Sequence, residues 1–146
     1  MMLLLAGVLV MLMAGCGAKN KSNRYKETDT GVLVDYGKSD IYSEEDMNEA
    51  VRVIQEKIES WKGCTISKAR YASDKWAKKD HLQWLNEIQG NRDYTQSIRF
   101  YADFHTSSEK EDLIGSEWDP DTEYKDYEFD LGREKDGTWE IVSWGK

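Results

Sequence analysis

The chain opens on fifteen residues without a charged side chain, Met1 to Gly15, and then becomes polar and unpatterned through residues 17–30. Gly31-Val32-Leu33-Val34-Asp35-Tyr36-Gly37 is a short apolar run between glycines, an edge strand or an ordered lead-in. The clearest helix covers 44–62. Ser43 is a good N-cap, Glu44, Glu45 and Asp46 suit the positive helix end, and Gly63 suits the exit. Met47, Ala50, Val51, Ile54, Ile58 and Trp61 recur at three- and four-residue steps and form one stripe. Strand formers fill 64–71. Residues 74–90 predict a second helix with Trp76, Leu82, Leu85 and Ile88 as its apolar set.

The last third alternates. Ile98, Phe100, Ala102 and Phe104 interleave with Arg99, Tyr101, Asp103 and His105, and Tyr127, Phe129 and Leu131 interleave with Glu128 and Asp130. Asp136-Gly137 predicts a tight hairpin into Trp139–Trp144. A two-residue loop there sets Leu131 opposite Val142, Phe129 opposite Trp144 and Arg133 opposite Glu140. The expected fold is α+β: a long N-terminal helix packed on a curved antiparallel sheet of about four strands. One domain is expected over 31–146, preceded by a leader (1–15) and a tether (16–30).

The leader is short for a membrane span, which needs about 20 apolar residues, and has the length of a signal peptide's apolar core. Met13-Ala14-Gly15-Cys16 resembles the lipobox of bacterial lipoproteins, although Met13 stands where leucine is usual and no Lys or Arg precedes the run. The resemblance implies cleavage before Cys16, a lipid on its sulfur, and a protein held on the outer side of the cell membrane. The competing reading is a buried N-terminal helix with an incidental cysteine. Cys64 is then the one free thiol, so the domain folds without an internal disulfide.

The net charge of −8 divides unevenly: 17–30 carries +2, leaving −10 on the remainder. A basic tether suits an anionic bilayer, and an acidic body excludes nucleic acid as partner.

Asp40-Ile41-Tyr42-Ser43, Trp61-Lys62-Gly63-Cys64-Thr65 and the closing Asp136-Gly137-Thr138-Trp139-Glu140-Ile141-Val142-Ser143-Trp144-Gly145 resemble an uncharacterised group of small Gram-positive lipoproteins in the nuclear transport factor 2-like superfamily. The resemblance implies a cone-shaped fold over residues 40–146. That superfamily holds isomerases, dehydratases and non-catalytic binding domains, so it leaves function open.

No phosphate loop, nucleophile elbow, HExxH or cysteine–histidine cluster is present, and neither cofactor nor metal is expected. The acidic run Glu117–Glu123 begins like a calcium loop, but Tyr124 and Asp130 stand where Gly and Glu are required. Arg99, Tyr101, Asp103, His105, Glu128 and Asp130 could move a proton together, yet alternation puts them on the outer, wet face. His81 reads as a solvated helix residue. Phe100, Phe104, Phe129 and Trp144 are the candidates to line a cavity, and Tyr101 and Trp139 the candidates for surface binding. The favoured reading is a non-catalytic domain binding a small molecule, glycan or protein. The alternative is a small enzyme of isomerase or hydrolase type, which requires titratable side chains converging in the cone cavity.

Overall fold

The computed structural model describes residues 24–146. Its elements are β1 (Lys26–Glu27), β2 (Leu33–Asp35), α1 (Glu44–Ser60), β3 (Cys64–Tyr71), a 3₁₀ turn (Asp74–Ala77), α2 (Lys79–Gln89), β4 (Tyr94–Thr106), a second 3₁₀ turn (Lys110–Leu113), β5 (Glu123–Glu134) and β6 (Glu140–Gly145). All six strands form one sheet in chain order.

Two expectations about the architecture are corrected. The sheet has six strands and is mixed, not four and antiparallel, because β2 pairs with β3 in parallel. The main helix lies mid-chain, after two strands, rather than at the N-terminus of the fold. Strands of two and three residues are too short to show an alternation. The parallel pairing follows from α1 itself: a helical crossover returns the chain to the sheet in its starting direction. Lys26–Glu27, inside the segment expected to be a tether, is β1 and pairs with β2.

Ser43 and Asp46 form a capping box at the start of α1, satisfying two of its orphan N–H groups. The helix ends two residues earlier than predicted, with Trp61 extended at its C-cap. At Gly63 the chain turns left-handed (φ 77°), and a Cβ there would stand 2.6 Å from Leu113 Cδ2, so only glycine fits. The buried stripe Met47, Ala50, Val51, Ile54 and Ile58 packs with Ile98, Phe100, Ala102, Phe104, Phe129 and Leu131 in one apolar core.

The second predicted helix is broken at Lys78, whose extended backbone separates the 3₁₀ turn from α2. This segment covers the opposite face of the sheet. Ser97 Oγ donates to Trp76 O (2.8 Å), and Asn86 brackets Tyr94 with two bonds to its backbone (2.7 and 3.0 Å). The Tyr94 ring lies across Gly132, where a Cβ would come within 2.6 Å of it.

The β5–β6 register is also corrected. Phe129 does face Trp144, but Leu131 pairs with Ile141 and Gly132 with Glu140, because Val142 is an extra residue at a bulge. A one-residue bulge inverts the alternation beyond it. Trp139, expected on the outer face, therefore points into the core at 3 % exposure. Its Nε1 donates to Asp46 O (3.1 Å), its ring meets Tyr42 edge-on, and the Arg133 guanidinium lies 4.3 Å from its centre.

This register predicts that Trp139→Ala and Leu131→Ala each destabilise by about 3–5 kcal/mol, as large-to-small core changes. Val142→Ala, at the half-exposed bulge, should cost under about 1 kcal/mol. Urea unfolding of the three variants checks the order; the unbulged register would make Val142 as costly as Leu131.

Candidate functional site

Two places bring functional side chains together, one at each face of the sheet. The first lies where α1 ends. Trp61 leaves the helix at its C-cap and stacks on Phe129 (6.3 Å between ring centres), with its face inclined to Trp118 at 5.4 Å. Trp118 is held in turn against Phe104 and Tyr127. Its loop is pinned on both sides: Asp119 N–H donates to Tyr124 Oη (3.0 Å), and Thr106 Oγ1 donates to Asp119 O (2.6 Å). The rings form a continuous wall, which Trp144 and Ile114 extend into solvent at 48 % and 70 % exposure.

Trp61, Trp118, Tyr127, Trp144 and Ile114, with Lys62, Ser116, Glu117 and Lys146, line an open cleft of about 770 Å³. That is within the range of small-molecule sites. Its one acidic side chain, Glu117, has no ion-pair partner among the described residues. Burial raises the Tyr127 phenol, with the charge of Glu117 adding to it, so the hydroxyl is a donor at neutral pH. Lys57 Nζ sits 4.2 Å from the centre of the Trp144 ring.

The second place is the face under α2. Arg99 Nε and Nη2 donate to the two oxygens of Asp130 (2.7 and 3.1 Å), and Nη2 also lies 3.0 Å from Glu128 Oε1. The Trp76 ring covers the guanidinium at 3.5 Å. His81 Nε2 reaches Asp130 Oδ1 at 3.0 Å but obliquely, without an aligned N–H···O bond. Burial alone would raise the Asp130 carboxyl; the close approach of the His81 ring, the two bonds from Arg99 and the guanidinium charge outweigh it and hold the carboxyl below the usual range. Arg99 is moved upward: desolvation opposes its charge, and the bond to Asp130 more than offsets that.

The proton-moving row expected on one wet face does not converge. Arg99 and Asp130 are buried at 7 % and 1 % exposure, because α2 covers the face that alternation assigns to water. His81, expected in solvent, is buried beside them. His105 lies six residues along β4 from Arg99, about 20 Å away at strand spacing. It is exposed and held between Asp121 (3.0 Å) and Glu123 (3.2 Å); the bond to Asp121 leads in raising its pKa. Asp103 accepts from Asp126 N–H, and Tyr101 is half-buried under the Arg70 guanidinium.

Phe100, Phe104 and Phe129 are fully buried and fill the core between α1 and the sheet. Trp144 shares the face of Phe129, but β6 is the sheet's edge and what lies over the indole is the Lys57 ammonium, so at 48 % exposure it is a cleft wall and not core. Trp139 is core and cannot meet a ligand from the surface. Cys16 lies outside the described residues. Among them, no three His, Cys, Asp or Glu side chains are placed to hold a metal ion. Cys64 is buried, and desolvation raises its thiol.

Sequence reasoning missed Trp118, Ile114, Lys62 and His81. Trp118 sits in a loop without periodicity, and nothing local marks it. His81 had a signal: it is four residues before Leu85, on the buried stripe of α2.

Asp130→Asn should destabilise by about 3 kcal/mol, since it leaves Arg99 buried without its carboxylate. Glu128→Gln, on the half-exposed flank, should cost under about 1 kcal/mol. Because the Asp130 carboxyl is depressed in the fold, its contribution is complete above the unfolded carboxylate pKa of about 3.9 and is lost as pH falls through the lower, folded value. Acid unfolding curves of the parent should show that extra loss at low pH, and Asp130→Asn should lack it.

Compared with family models, characterised proteins and solved structures, the chain matches none.

Proposed function

We propose that this chain is a non-catalytic binding domain, held at the outer face of the cell membrane by lipid on Cys16, which takes a glycan in the aromatic cleft. The observation that carries the reading is the wall of Trp61, Trp118, Tyr127 and Trp144 beside the apolar core. Flat rings stack on the apolar faces of sugar rings, and the polar rim of Lys62, Ser116 and Glu117 offers donors and acceptors to hydroxyls. The packing of the wall argues against a cage for an organic cation. Trp61, Trp118 and Tyr127 touch one another at 5.4–6.5 Å between centres, leaving no box between their faces.

The enzyme alternative needs acid and base groups converging between α1 and the sheet; the titratable members of the buried cluster there are the tyrosines and Cys64, whose phenols and thiol burial keeps protonated. The anchor is supported by the uncharged run before Cys16 and by the small residues Ala14 and Gly15. Among the described residues no helix is long and apolar enough to cross a membrane.

Two measurements test this. Titration of the domain with a soluble N-acetylglucosamine oligomer should quench tryptophan fluorescence saturably. Trp144→Ala should weaken that binding by about tenfold, roughly 1.4 kcal/mol, without changing the unfolding midpoint. Equal affinity in the variant, or turnover of the oligomer, would overturn the binding reading. In cells, Cys16→Ser should abolish labelling by a radioactive fatty acid, and persistent labelling would sink the anchor.

A further inference from the structure

The loop between β4 and β5, residues 107–122, carries Trp118 into the aromatic wall and is tied to the strands by hydrogen bonds of uncharged groups. Thr106 N–H donates to Thr122 O (3.0 Å), Thr122 N–H to Thr106 Oγ1 (2.9 Å), and Thr106 Oγ1 to Asp119 O (2.6 Å). One further tie is ionic. His105, the last residue but one of β4, stands across the ladder from Glu123 and turns each ring nitrogen to a carboxylate. Nε2 lies 3.0 Å from Asp121 Oδ1, and Nδ1 lies 3.2 Å from Glu123 Oε2.

A carboxylate only accepts, and a neutral imidazole carries a single N–H. The neutral ring would set a lone pair against one of the two anions, so both contacts together belong to the imidazolium. The charges that face the ring are Asp121 from the loop and Glu123 from β5. β3 sets Thr65 opposite it, and Ser67 donates to Glu123; both are uncharged. Asp103, on the same face of β4, accepts from Asp126 N–H. Asp121 depends on the ring more than Glu123 does. Its backbone is left-handed (φ 46°), a sparsely populated conformation for a residue with a side chain. Its N–H donates to Ser107 O (2.9 Å), and among the described residues its carboxylate has no hydrogen-bond partner but His105.

We propose that His105 is a proton-operated latch on the aromatic cleft, a regulation that rests on reading that cleft as a binding site. Doubly protonated, the ring holds both carboxylates and fixes the turn 119–122 that seats Trp118. On losing one proton it can hold only one of them. Either loss loosens the return of the loop, since Asp121 lies in the turn and Glu123 opens β5 one residue after it. The slack reaches Trp118 through Asp119, whose N–H is bonded to Tyr124 Oη (3.0 Å) and whose carbonyl is gripped by Thr106. The bond to Asp121, and then that to Glu123, raise the His105 pKa above its ordinary 6.5. The latch is therefore closed below pH 6.5 and opens as pH rises through the higher, folded value. Affinity at the cleft falls in the same direction, by a small factor because the ring is exposed.

The test begins without sugar, on protein labelled with fluorotryptophan and followed by fluorine and proton NMR. The imidazole C–H signal of His105 should titrate with a midpoint above 6.5, and the Trp118 signal should move with the same midpoint while Trp139, in the core, stays still. His105→Gln keeps one donor and cannot change charge, so it should abolish the Trp118 movement. Asp121→Asn should lower the His105 midpoint. With the N-acetylglucosamine oligomer, binding should be about threefold tighter near pH 5.5 than near pH 9, as for one exposed ion pair. By reciprocity, saturating oligomer should raise the His105 midpoint by about 0.5 pH unit, the same threefold factor. A Trp118 signal indifferent to the His105 titration, or equal movement in His105→Gln, would overturn the latch whatever the sugar does. Oligomer binding that ignores pH would also overturn it and leave the glycan reading standing. Trp118 movement with no oligomer binding would support the latch and strike the glycan reading alone.

Discussion

A guanidinium and a carboxylate are buried against each other on the sheet face away from α1, and that face is organised around the need to keep them paired. Arg99 and Asp130 stand on neighbouring strands directly across the β4–β5 ladder, which brings two nitrogens onto two oxygens. Neither charge tolerates an apolar cover unless its partner stays in place. The cover is therefore half polar: Trp76 lies flat on the cation, and His81 brings a nitrogen to the anion. Ser97, one pleat along β4, fixes the Trp76 backbone, and Asn86 fixes the far end of α2 to Tyr94. The break at Lys78 follows from this. One straight helix from 74 to 90 could not place Trp76 on Arg99 and Leu85 on the sheet while ending with Asn86 at Tyr94.

Where one face of the sheet is covered by one helix, the sequence was legible. The α1 stripe, its N-terminal cap, the alternation of β4 and β5 and the Phe129–Trp144 pairing all follow from periods of 3.6 and 2, and the structure has them. The inside-or-outside assignment failed where a second cover arrives. Alternation tells that Arg99 and Asp130 share a face opposite Phe100 and Phe129, but not that α2 lies over that face. The same limit hid His81. Trp139 was lost for a different reason: a bulge adds one residue without a mark in the sequence, and every side chain between it and the turn changes sides. β2 lies in the run between Gly31 and Gly37 read as an edge strand or lead-in, but β1 was lost, because two residues owe their place to the edge of β2 rather than to a pattern of their own.

The aromatic cleft follows from a mismatch of lengths. α1 has seventeen residues, about 26 Å at helical rise. β4 has thirteen and β5 twelve, each about 40 Å at strand rise. The helix is fixed at its start, where Asp46 meets Arg133 and Trp139 near the β5–β6 turn. It therefore runs out before the strands do, and the overhang falls at Phe104, Tyr124 and Tyr127. An apolar sheet face left open there would cost about 25 cal/mol per Å². The chain covers it with Trp61, the last residue α1 can supply, and with Trp118 from the loop that joins β4 to β5. Two indoles close the overhang only in part, and the uncovered remainder, bounded by Trp144 on the edge strand, is the cleft. The same geometry that ends the core thus leaves a concave aromatic surface at its rim, built on a helix end and two long strands and needing no moving part.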